Sequence, residues 1–296
     1  MSKLANKSIV VIGGTSGLGF SAAKAFIAAG ARVVIVGRDP DKANSARAAL
    51  GKSALALAGD ASDPQTAVAA VNLAAENFGG FDGLYHVSGA SGRSKGDGPL
   101  HELSDEGWEH TIRVNLTALC YSNRAAVRKF LELGAAGSVL NMSSVLGYSP
   151  SPHFFATHAY ASAKAAVIGL TKSAAAYYAP RNIRLNVLAP ALVATPMSQR
   201  AQENQAIMGF MRTKQPLDGG RIGQPADLDA AAVYFLADDS KFVTGQVLAV
   251  DGGWSVSEGQ IHVSQEQEAG ARAPKGKSLW YKLGKLWAKS TGEKKG

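Results

Sequence analysis

Tyr160 and Lys164 are the pair in this chain best suited to proton chemistry, because their spacing places both side chains on one face of a helix. A phenol ordinarily holds its proton to a pH of about 10. A lysine cation about 4 Å away, at an effective dielectric of about 20, favours the phenolate by about 4 kcal/mol before screening and burial reduce the figure. Such a tyrosine exchanges a proton near neutral pH, which general acid–base work requires. Ser144, at the mouth of an apolar run, offers a hydroxyl to hold a substrate oxygen beside the phenol. Spacing alone is weak evidence, since Tyr281 and Lys285 repeat it with no strand-borne serine ahead of them. Tyr160 therefore stands on the elements that position it.

The first of these is a continuous apolar run over 8–12, the pattern of a strand buried on both faces. Gly13-Gly14-Thr15-Ser16-Gly17-Leu18-Gly19 follows, and then an alanine-rich helical pattern to Ala29. Strand, glycine-rich turn and helix in that order aim backbone N–H groups and a helix N-terminus at a pyrophosphate. A tight turn with no ligand needs only one or two glycines. A second strand over 32–36 ends at Gly37-Arg38-Asp39-Pro40. An acidic residue there suits a ribose 2′-hydroxyl and an arginine a 2′-phosphate. Asp39 before Pro40 reads as a helix cap, which leaves Arg38 as the phosphate contact or as a solvated charge.

Further strands are expected over 54–58, 83–87, 138–142, 183–188 and 246–250, with helical patterns over 64–78, 104–133 and 225–237. Asp60 at a strand end either accepts from an adenine amino group or caps the turn. Asn115 inside an apolar helix marks a backbone contact or a water site. The polar, glycine-rich loop 88–98 has the composition of an active-site rim. On it, Arg93 and Lys95 read as solvated charges, the alternative being attraction of an anionic substrate such as an acyl thioester. Alternating strands and helices predict an α/β fold, one doubly wound parallel sheet covered on both faces, as a single domain.

Composition is that of a globular chain: 296 residues, 46% hydrophobic and 18% charged. One cysteine, Cys120, excludes a disulfide framework and points to a reducing cytoplasm. The six histidines form no metal motif, and the apolar stretch before Gly13 is too short for a signal peptide. Net charge is +8, but residues 254–296 carry eight Lys or Arg against four Glu, half of the excess. The main body is thus not basic enough to suggest nucleic-acid binding.

Taken together these residues resemble the short-chain dehydrogenase/reductase family over about residues 7–253. The match covers Gly13-x-x-x-Gly17-x-Gly19, Asp60, Asn115, Ser144, Tyr160-x-x-x-Lys164, the stretch from Pro190 to Met197 and the closing Asp251-Gly252-Gly253. The resemblance implies a Rossmann-type sheet of seven strands in the order 3-2-1-4-5-6-7. It implies Tyr160 as acid/base, Lys164 lowering its pKa and holding a nicotinamide ribose, Ser144 orienting the carbonyl, and Asn115 supporting a relay water. Cofactor contacts are expected at Gly13, Thr15, Ser16, Gly17, Leu18, Gly19, Arg38, Asp60, Ala61, Ser88, Gly89, Tyr160, Lys164, Val193 and Thr195. With Arg38 the cofactor is expected to be NADP (NADPH) rather than NAD. Three positions depart from the family pattern, at Ile12, at His86-Val87-Ser88 and at Ala191, and all touch the cofactor cradle. His86 reads as a packed, hydrogen-bonded residue rather than a catalytic one.

The expected activity is interconversion of a secondary alcohol and a ketone, on a small-molecule substrate, by a cytoplasmic homo-oligomer (tetramer or dimer). The alternative is a non-catalytic NADP-binding regulator that engages a partner through its tail. Residues 197–216, with Met208, Phe210 and Met211, lie where the family has its substrate lid, and with Phe154 and Phe155 they suggest a partly apolar pocket. Residues 254–296 form a basic extension, a polar linker and then a short amphipathic pattern with Leu279, Leu283, Leu286 and Trp287 on one face. Such a helix docks on a neighbouring subunit or partner, frays at Gly284, or lies on an anionic membrane surface; docking is favoured over the membrane.

Overall fold

The structure, a computed structural model, describes residues 2–259. Its strands are β1 (Ser8–Ile12), β2 (Arg32–Gly37), β3 (Ala54–Ala58), β4 (Gly83–His86), β5 (Gly137–Met142), β6 (Ile183–Pro190) and β7 (Val247–Val250). All pair in parallel in one sheet of order β3-β2-β1-β4-β5-β6-β7. Strand order reverses between β1 and β4, and a crevice opens beyond the carboxyl ends of strands at such a point.

Helices α1 (Gly17–Ala28), α2 (Pro40–Leu50), α3 (Pro64–Phe78), α4 (Asp105–Ile112), α5 (Ala118–Glu132) and α6 (His158–Tyr178) cross between strands. Three more, α7 (Gln199–Gln202), α8 (Gln205–Lys214) and α9 (Asp229–Leu236), follow β6. The period-two alternation of strand side chains sorts the core into two layers. Ile9, Val11, Val33 and Ile35 pack with Phe26 of α1 and Phe235 of α9. Val10, Ile12, Val34 and Val36 pack on the other face with Val71 of α3 and Phe130 of α5. Burial of both faces is why these strands read as unbroken apolar runs.

At the start of α2 the Asp39 carboxylate accepts from the N–H groups of Asp41 (3.0 Å) and Lys42 (3.1 Å), with Pro40 next, the cap expected from the sequence. The single helix expected over 104–133 is instead α4 and α5 joined by a π-helical turn, Arg113–Thr117. Asn115 sits in this wider turn, a geometry that recurs at functional sites.

A third apolar cluster lies outside the sheet, where Val145, Ala201, Ile207, Met211 and Trp254 are buried with Phe154, Phe155 and Phe210 packed on them. Met211, expected to face a substrate, is part of the lid's own core. Trp254 is buried and donates from Nε1 to Ser149 O (3.2 Å), and Ser257 Oγ donates to Lys214 O (2.8 Å), so the packed body runs past residue 253. The linker and amphipathic pattern expected in the extension lie outside the described residues. Among the described residues no helix is long and apolar enough to cross a membrane, and no His, Cys, Asp and Glu group could hold a metal ion.

Candidate active site

Beyond the carboxyl ends of the strands lies an open, mainly apolar cleft that brings Asn115, Ser144, Tyr160 and Lys164 together. They arrive on three supports: the π turn carries Asn115, the end of β5 leads to Ser144, and α6 carries both Tyr160 and Lys164. Ser144 follows β5, whose end is fixed by a buried amide pair: Asn141 and Asn123 exchange hydrogen bonds of 2.8 Å, and Asn141 also donates to Thr171 Oγ1 (2.9 Å) on α6. Ser143 Oγ donates to Lys164 O (2.7 Å), tying α6 to the same strand end. Asn115 is fully buried, donating to Ala90 O (2.9 Å) and Thr111 O (3.0 Å) and accepting from Ala90 N (3.3 Å). It makes the backbone contact read from the sequence and holds the rim loop against the π turn.

Tyr160 stands in the first turn of α6, whose cap residue Thr157 supplies no side-chain bond to the helix. The cap comes from far away in sequence: buried Asp97 accepts from Ala159 N and Tyr160 N, both at 3.0 Å. Nothing local to either segment signals this contact, and the sequence reading missed it. It also missed Gln215, which brackets the chain after β6 by accepting from Leu192 N (2.8 Å) and donating to Leu192 O (3.2 Å).

The electrostatics differ from the sequence expectation. Burial pushes the Tyr160 phenol up to about 12, and the Ser144 hydroxyl draws it back in part. Burial takes the Lys164 ammonium down to about 8. Lys164 Nζ sits over the Tyr160 ring, 5.4 Å from its centroid, and donates to Met142 O (3.1 Å). Desolvation disfavours the charged form of each group, which raises the phenol and lowers the ammonium.

His86 is fully buried with Nδ1 2.6 Å from Ser122 Oγ, and its pKa is taken down to about 3 by burial and then by the Lys164 charge. It is a neutral packed residue, as read. Ile12 needs no side-chain polarity, since its carbonyl accepts from Val87 N and Ser88 N, both at 2.9 Å.

The cleft continues toward β1 and α1 past Leu18, Val87, Gly89, Thr195 and Met197, which line both its parts. The glycine-turn part is lined by Gly13, Thr15, Ser16, Gly17, Leu18, Arg38, Ala61, Ser88, Gly89 and Thr195. Five expected cofactor residues stand apart from it, Tyr160 and Lys164 among them because they line the apolar part. Gly19 packs so closely on Gly13 O that a Cβ would collide, Val193 lines the apolar part, and Asp60 caps its turn by accepting from Ser62 N and Oγ, both at 2.8 Å. These bonds, with the Arg38 charge nearby, lower the Asp60 pKa.

The residues present fit a dinucleotide. Ser16 gives α1 no side-chain cap, Gly17 has a positive φ of 51°, and a Cβ there would meet nothing nearer than 3.5 Å. First-turn N–H groups are thus available to a pyrophosphate. At the end of β2 a Cβ on Gly37 would lie 2.5 Å from the Thr15 side chain, so no carboxylate fits at that position, and exposed Arg38 comes next.

Comparison with known proteins agrees with this geometry. A family model described as enoyl-(acyl carrier protein) reductase matches residues 13–255. The chain is 34% identical over 257 residues to 2,5-dichloro-2,5-cyclohexadiene-1,4-diol dehydrogenase of Sphingobium indicum, covering 86% of this chain and 99% of that one. It is 35% identical over 260 residues to 3beta-hydroxysteroid dehydrogenase 1 of Eggerthella lenta, covering 86% and 96%. Among solved structures, a short-chain type dehydrogenase/reductase from Mycobacterium ulcerans aligns with a TM-score of 0.79 at 29% identity, covering 86% of this chain and 92% of that one. The strand order, the glycine turn and the Ser144, Tyr160 and Lys164 grouping have the same source: the chain belongs to the short-chain dehydrogenase/reductase family.

Proposed function

We propose that the protein is an NADP(H)-dependent oxidoreductase that interconverts a ring-borne secondary alcohol and its ketone, with Tyr160 as general acid/base. The observation that carries this reading is the convergence of Asn115, Ser144, Tyr160 and Lys164 on one apolar cleft that runs on into the glycine turn. The nicotinamide, when bound, exchanges hydride with the substrate carbon. Ser144 orients the substrate oxygen, and Tyr160 gives that oxygen a proton in the reductive direction or takes one in the oxidative direction. A phenol held up at about 12 is protonated throughout the neutral range, the form that gives a proton in the reductive direction. The ring-borne hydroxyl is suggested by the names of the two relatives and suits an apolar wall that includes Leu18, Leu146, Phe155 and Trp254.

NADP(H) over NAD(H) rests on the Gly37 and Arg38 pair, where the strand's last residue has no side chain and the next, which lines the glycine-turn part, is a cation. The test is thermal unfolding with NADPH and with NADH, followed by a ketone panel with the preferred cofactor. A ligand at about 100 times its Kd stabilises by about 2.7 kcal/mol. A larger midpoint shift with NADPH and turnover of ring ketones are expected. Turnover of no ketone by a protein that binds NADPH would reject the enzyme reading.

A further inference from the structure

The cleft carries two cations that proton transfer at Tyr160 does not use. Arg93 stands on the rim loop after β4 and Arg200 on α7, and both line the cleft with Ser144 and Tyr160. They converge on one neutral acceptor, Arg93 Nη2 donating to Phe154 O at 3.2 Å and Arg200 Nη2 at 3.4 Å. A guanidinium has five N–H donors, so each of these cleft-lining groups keeps donors beyond its bond to Phe154 O. Their neighbour Lys95 is neutralised by Glu106 at 3.4 Å, whereas among the described residues neither arginine forms a salt bridge. The carboxylate that acts on Arg93 belongs to Asp97, whose oxygens already serve the first turn of α6. Arg93 is held below its ordinary pKa by burial and then by the charge of Arg200. Two like charges gathered at one carbonyl repel each other, and an anion placed between them removes that cost. Guanidinium groups suit a carboxylate in particular, because the planar forks match in geometry.

We propose that Arg93 and Arg200 form a carboxylate subsite, so that the substrate is an alcohol or ketone joined through an apolar body to a carboxylate that the two guanidinium groups hold. This rests on the enzyme reading above. Leu146, Phe155 and Trp254, on the same wall, bury the body of the molecule. The reacting oxygen lies toward Ser144 and Tyr160 and the carboxylate lies toward the rim.

Matched pairs of keto acids and their methyl esters test this, because each pair differs only in the charge. Suitable probes are 4-oxocyclohexanecarboxylate and 3-oxo-5β-cholanoate, each with its ester, reduced by the full chain with NADPH or NADH. For at least one pair the acid is expected to show a KM on the order of tenfold below that of its ester. Arg93→Gln and Arg200→Gln should bring that ratio toward one, and Arg200→Lys should restore part of it. Independently of any variant, raising salt from about 50 to 500 mM should increase the wild-type KM for the acid and spare that for the ester. Equal KM values for acid and ester, or a salt response common to both, would overturn the subsite while leaving the enzyme standing. Failure to reduce any acid, ester or simple ring ketone would overturn the enzyme reading and the subsite with it.

Discussion

The glycine-turn half of the cleft and its apolar half are built in different ways. The first is centred on one unbroken stretch, β1, the turn and the first residues of α1, with the end of β2 and short segments after β3, β4 and β6 closing round it. Its shape depends on how closely backbones approach, at Gly19 against Gly13 and at Gly37 against Thr15. The second is assembled from distant segments: the rim loop, the π turn, the end of β5, α6, the chain after β6 and Trp254. Its side chains are held by contacts between residues far apart in sequence, such as Asp97 to Tyr160. A local construction tolerates little change in residue type, whereas a distributed one can keep its chemistry while its walls and charges vary.

The largest expected effect separates the halves cleanly. Tyr160→Phe removes the proton that the apolar half supplies and leaves the glycine turn intact. Turnover should fall on the order of 10²- to 10⁴-fold, the range for a lost general acid/base. The thermal shift with NADPH should persist. Retained turnover would show that another group transfers the proton.

The next effect follows from burial of charge in the apolar half. Lys164 has a folded pKa of about 8 against an ordinary 10.5, so the unfolded chain binds the extra proton. Below about pH 8 the folded state carries the full cost of that buried cation, and the cost fades as pH rises toward 10.5. Wild type should therefore gain stability relative to Lys164→Met between those pH values. Tyr160, raised in pKa in both proteins, contributes equally to both and cancels. A constant difference between the two Tm values across that range would mean that Lys164 is not depressed.

Arg38→Leu probes the other half. Arg38 is exposed and no Cβ fits at Gly37, so the loss should fall on the cofactor 2′-phosphate alone. Affinity for NADPH should drop on the order of tenfold or more, with NADH little changed. Equal losses for both cofactors would place Arg38 elsewhere than the ribose.

The same division governs what the sequence could reveal. All seven strands were legible as short, mainly apolar runs, through burial on both faces at β1, β2 and β4 and despite only partial burial at the edge strands β3 and β7, and the α2 cap because Asp39 and Pro40 act within their own turn. Ser144, Tyr160, Lys164 and Asn115 were legible as motif residues, and the structure gathers them in one cleft. The π turn was not legible, because a helical pattern spread over 104–133 does not mark where one turn within it widens. The sign of the Tyr160 shift was missed because spacing reports a neighbour's charge but not how deeply both groups are buried. Arg200, Trp254 and Asp97 were missed because their roles exist only once segments far apart in the chain meet.

Asp97 gives the smallest effect and the sharpest test of that last point. Its two oxygens satisfy the N–H groups of Ala159 and Tyr160, a duty Thr157 does not perform for α6. Asp97→Ala should cost about 1 kcal/mol, as loss of a helix cap does, and lower Tm by about 2–4 °C. A carboxylate at this helix N-terminus also favours the macrodipole, so Asp97→Asn, which keeps an acceptor, should recover only part of the loss. If the cap also fixes where the phenol points, kcat should fall for acids and esters alike while the NADPH shift stays, because the glycine turn receives nothing from Asp97. A lower Tm with unchanged kcat would reduce Asp97 to a fastener of the helix. A loss confined to acids would instead place it with Arg93, as a charge that tunes the rim.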